Sequence, residues 1–154
     1  MQPVYSFEIK CSKDLLRKLI EDFNEFKGNQ SSSRIAINCA MSAWHLTDWV
    51  FEEYKHKHGF EDLGLFRSSL NSHSLSLMHD IANGSKHLSL SRPKTEITDS
   101  GLHEGDFAFE DFAREDFDVS RLELKMRNGE VVDFYGEIEE CVSFWSEYLN
   151  RFDS

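Results

Sequence analysis

The chain has 154 residues, 40% of them hydrophobic and 13% aromatic, and carries a net charge of −11. That length suits one domain with a core of its own, and the acidic balance lacks the basic stripe expected of a nucleic-acid binder, although it does not exclude RNA. No apolar run approaches a membrane span, and the N-terminus MQPVYSFEIK has neither the basic start nor the apolar block of a secretory signal, so a cytoplasmic protein is expected.

Tyr5 to Ile9 alternates weakly, as a short strand or an extended lead-in. Ser12 reads as an N-cap, and Leu15, Leu16, Leu19, Ile20, Phe23 and Phe26 then predict an amphipathic helix ending near Gly28. The central element is Ser31 to Lys57. Its apolar residues form two adjoining helical stripes, Ile37, Ala40, Trp44, Phe51, Tyr54 and Ala36, Cys39, Ala43, Leu46, Val50, and Gly59 ends it. Glu61 to Leu90 is helical again, in two pieces or one bent piece, and Asn83-Gly84 leaves open a kink, a terminus or a new first turn before His87. Arg92-Pro93 closes the helical region.

Beyond it, Lys94 to Thr98 reads as a short strand. Phe117 to Met126 and Val131 to Tyr135 pair as a hairpin around Asn128-Gly129, for which a two-residue type I′ turn is predicted. Between these lies an acidic, aromatic stretch. From Asp99 to Asp118 there are eight acids against Arg114 alone, so −7 of the −11 sits in twenty residues. Segment 104–118, with Phe107, Phe109, Phe112 and Phe117, is a candidate surface for a protein partner. A last helix shows Ile138, Cys141, Val142, Trp145, Leu149 and Phe152 on one face. The three cysteines, Cys11, Cys39 and Cys141, are widely spaced and outside any C-x-x-C pattern, which points to reduced core thiols. The expected fold is mainly α: a bundle of four to five helices over 12–90 and 136–152, with a small antiparallel β insertion over 94–135, in a single domain 1–154.

Two polar lines suggest chemistry. Asn38, His45, Asp48 and Glu52 share one face of the central helix, and His79, Asp80, Asn83 and His87 form a second line. If the two converge inside the bundle, His45, Asp48, Asp80 and His87 form a plausible metal shell of two imidazoles and two carboxylates. The alternative is a satisfied polar network that specifies packing. There is no G-x-S-x-G elbow and no phosphate-binding glycine loop, which removes the common acyl-transfer and nucleotide motifs; the cofactor stays unknown.

The layout, with Ala82-Asn83-Gly84-Ser85-Lys86-His87, resembles the HEPN superfamily of small helical domains, whose motif is an Arg, commonly followed by Asn, with a His a few residues later. The resemblance implies a dimer and metal-independent RNA cleavage at the dimer interface. Asn83 and His87 match the motif, and the Arg position falls on Ala82. Carried over, His87 is the general acid or base, Lys86 stabilises developing negative charge as a point charge without the bidentate fork of Arg, and Asn83 completes the site. Two functions are therefore expected. The first is an oligomeric helical-bundle protein acting through protein interaction, with a His/Asp polar centre. The second is an enzyme or RNA binder, either HEPN-like at Asn83, Lys86 and His87 or a metal-dependent hydrolase at His45, Asp48, Asp80 and His87.

Overall fold

In a computed structural model, residues 5–103 and 120–153 are described, so the acidic segment proposed to meet a partner lies outside the described residues. Helix α1, Ser12–Lys27, buries Leu15, Leu16, Leu19, Phe23 and Phe26 on one face, as its spacing predicts. Its start differs from expectation. Cys11 occupies the N-cap position without a side-chain bond, and Ser12 is the first helical residue. Its N–H donates instead to the Glu53 carboxylate at 3.0 and 3.3 Å, so a neighbouring helix caps α1.

Helix α2, Ser33–His58, is capped by Ser32, whose side chain accepts from the Ile35 N–H at 3.2 Å, and it ends at Gly59 with φ of 70°. The next helical region is two helices. Helix α3, Leu63–Leu70, starts on Asp62 and stops at Asn71, which takes the left-handed conformation. Helix α4, His73–His87, starts on Ser72 and passes through Asn83-Gly84 without a break. Gly84 lies within the helix with nothing inside 4 Å of the position a Cβ would take, and Leu88, at φ 63°, terminates the helix. Gly84→Ala is therefore expected to stabilise the protein by about 0.5–1 kcal/mol, since Gly costs that much against Ala in a helix interior. A raised midpoint in urea denaturation checks this.

Strands β1, Ile97–His103, β2, Arg121–Met126, and β3, Val131–Asp133, form one antiparallel sheet in the order β1-β2-β3. The hairpin is present, with Leu124 opposite Val132 and Lys125 opposite Val131. Its turn is not the two-residue form. Only Gly129 has positive φ, at 90°, whereas type I′ demands it at Asn128 as well. The Met126 N–H donates to the Glu130 carbonyl at 2.8 Å and the Gly129 N–H to the Met126 carbonyl at 3.0 Å, which is a three-residue loop with its glycine at the bulge. The first strand also lies later than Lys94 to Thr98.

Helix α5, Phe134–Asn150, begins two residues before position 136 because Asp133 caps it, accepting from the Tyr135 N–H at 3.4 Å. It packs against α1, α2 and α4. Trp145 lies fully buried in that junction and donates its indole N–H to the Ala43 carbonyl of α2 at 2.9 Å. The result is a mainly helical bundle with a small antiparallel sheet inserted before the closing helix. Cys39 and Cys141 are buried free thiols; burial pushes the Cys39 thiol up to about 12 and the Cys141 thiol higher still. Among the described residues, no helix is long and apolar enough to cross a membrane.

Candidate functional site

The polar line of α2 does not face the interior. Asn38, His45 and Glu52 are exposed and Asp48 is half-buried, because the two apolar stripes are covered by the other helices and leave this strip outward. Asp48 finds its partner on α3: Arg67 approaches it at 3.1 Å and donates from Nε to Thr47 Oγ1 at 3.0 Å. The Arg67 guanidinium lies over the Trp44 ring, 4.6 Å from its centroid, and the Lys94 ammonium lies 5.6 Å from the same centroid. Although His45 is exposed as a residue, partial desolvation of its ring holds the imidazole below its ordinary value, opposed by Asp48 and assisted by the charges of Lys18 and Lys86.

Asp80 is the buried centre of the α4 line. One carboxylate oxygen accepts from the Lys94 N–H at 2.8 Å and from His79 Nδ1 at 2.7 Å; the other accepts from the Thr95 N–H at 2.8 Å and the Thr95 hydroxyl at 2.5 Å. Burial works to raise this carboxyl, but the hydrogen bonds together outweigh it and hold the group below its ordinary value. An ionised carboxylate only accepts, so His79 Nδ1 carries the proton and the lone pair is left on Nε2. Burial, aided by Lys94 and Arg67 and opposed by Asp80, lowers the His79 imidazole and keeps it neutral near pH 7. Its ring meets Trp44 edge-on at 4.7 Å.

These contacts separate the proposed metal shell. Asp48 is engaged by Arg67, Asp80 is enclosed by four donors, and His45 and His87 are exposed. Among the described residues, no group of three or more His, Cys, Asp or Glu side chains is placed to hold an ion. The four residues share helical faces in the sequence but not a point in space.

What the structure does bring together is a cleft of about 500 Å³ along the end of α4. His79, Asn83 and His87 line it from one helical stripe, and Ser89, Leu90, Ser91 and Arg92 line it from the chain that follows. Among the described residues, no carboxylate is in this lining. Lys86 is exposed beside it on the last turn of α4. A scan of protein-family models and searches of curated proteins and of solved structures give no match to this chain.

The sequence pattern places His79 in the polar line with Asn83 and His87, four and eight residues before them, but gives it no role in a site, and it does not point to Arg92 at all. Arg92 carries no such signal, because only the chain reversal at Leu88 returns it to the helix. Ala82, at the position the resemblance gives to Arg, is buried, so a long cation there would point into the core.

Proposed function

We propose that this protein binds single-stranded RNA at the α4 cleft, in the manner of a HEPN-like domain. The carrying observation is that Asn83 and His87, the two residues matching the motif, line one cleft with Ser89, Ser91 and Arg92 and, among the described residues, with no carboxylate. Such a lining suits phosphate oxygens. His79 adds an acceptor, its Nε2 lone pair, which distinguishes a 2′-hydroxyl from the bare sugar of DNA. Of the net charge of −11, −7 falls within the sequence segment 99–118, and the remainder of the chain is only mildly acidic.

The test is fluorescence anisotropy with a labelled single-stranded RNA and the DNA of the same sequence, together with gel analysis of the RNA for cleavage. Tighter RNA binding by the wild-type protein is expected. His87→Ala should weaken it by about tenfold, the value of one charge-assisted hydrogen bond. Because His87 is exposed, the same variant should keep its stability within about 0.5 kcal/mol. Equal affinity for both strands, or none, would sink the RNA reading.

The second reading is a protein that works through a protein partner, with Asp80 and His79 serving packing alone. The complete satisfaction of Asp80 by its four donors favours it.

A further inference from the structure

We infer that Arg92 supplies the guanidinium that position 82 lacks, gripping an RNA phosphate from the wall of the cleft opposite Asn83 and His87. This rests on the RNA reading of the cleft and assigns its principal cation.

The helix cannot supply that group. Ala82 faces the core, and the cation nearest in sequence, Lys86, does not line the cleft. The chain after the helix does. Leu88, at φ 63° and ψ −45°, turns it sharply, and the Ser89 N–H donates to the His87 carbonyl at 2.7 Å. Residues 89–92 then run back along α4. Pro93 follows with its fixed φ, and the next two backbone N–H groups, of Lys94 and Thr95, are held on Asp80 at 2.8 Å each. Arg92, an exposed residue of the cleft lining, is thus two residues from an anchored point, which limits where its backbone can sit.

Asp80 is the positioning residue for both walls. The carboxylate that fixes the backbone after Arg92 also fixes the His79 ring on the helix side, so one buried group sets the width between them. A planar guanidinium held this way takes two phosphate oxygens at once, which an ammonium cannot do.

The experiment measures anisotropy of a labelled single-stranded RNA at several salt concentrations with the full chain, using wild type, Arg92→Ala, Arg92→Lys, His87→Ala and Arg127→Ala. Arg127 is an exposed hairpin arginine paired with Glu96 at 2.8 Å and serves as a control for loss of one positive charge. Arg92→Ala should weaken binding at least tenfold and reduce the slope of log K against log salt by about one, as expected for one lost phosphate contact. Arg92→Lys should fall between it and wild type, and Arg127→Ala should bind within twofold of wild type. Arg92→Ala binding within twofold of wild type while His87→Ala loses binding would overturn the role of Arg92 and leave the RNA reading standing. Absence of binding by the wild type overturns both. Circular dichroism melts of each variant exclude misfolding as the cause, since Arg92 is exposed and its truncation leaves the core intact.

Discussion

Asp80→Ala is expected to lower stability by about 3–5 kcal/mol, the range for removing one partner of a buried charged hydrogen-bond network. Four donors lose their acceptor together, two of them backbone N–H groups of Lys94 and Thr95 that have no helix or strand partner. Asp80→Asn should recover part of this, because its amide oxygen still accepts while its NH2 group opposes a donor. Chemical denaturation of the three proteins checks the order.

The pH dependence follows from the same group with a definite sign. The folded Asp80 carboxyl lies below its unfolded value of roughly 3.9, so its contribution is complete above that pH and is lost as the pH falls through the folded value. The folded His79 imidazole lies below about 6.5, so between that pH and its folded value the unfolded chain binds the extra proton and stability falls with acid. Both groups act in one direction. Wild-type stability should decline from about pH 6.5 downward, with a further loss below about pH 4 that is smaller in Asp80→Ala, where Asp14 is left as a lowered carboxyl.

The second large effect is expected at Trp145. This side chain is fully buried, contacts Phe144 and Tyr148 edge-on at 5.1 and 5.6 Å, and bonds to the Ala43 carbonyl. Trp145→Ala removes the packing and leaves a cavity at the junction of α5 with the bundle, a change costing about 3–5 kcal/mol. Trp145→Phe should cost less, because most of the ring volume stays and Ala43, within α2, loses only an additional donor. Unfolding followed by far-ultraviolet circular dichroism distinguishes the two; a Trp145→Ala loss below 1 kcal/mol would contradict the packing described here.

The apolar periodicities were sufficient to read most of this architecture. The double stripe of α2, the Leu15 to Phe26 face of α1 and the Ile138 to Leu149 face of α5 correspond to buried residues except at Ile20, Ile37, Tyr54 and Val142, which are half-buried. The candidate site was read less well, for a physical reason. Two adjoining stripes on α2 imply a nearly enclosed cylinder, but the polar line between them marks the strip left open to water, and Asp48 there is satisfied by Arg67 from a helix that offered no polar line of its own. Asp80 escaped for a different reason. Its partners are backbone groups at 94 and 95, and an N–H leaves no trace in the identity of a side chain. Ser12 shows the same limit: it has the chemistry of a cap, yet its hydroxyl caps nothing and its N–H is held by Glu53, 41 residues away. At Asn128-Gly129, composition indicated the reversal of the chain but not the loop length.

The bond between Trp145 and Ala43 spans 102 positions of chain. Four helices emerge during synthesis before the indole that completes their junction, so until then α1, α2 and α4 hold an open slot where α5 belongs. Contacts this distant make assembly wait on loop closure, and the nascent bundle must keep that apolar slot from foreign surfaces in the interval.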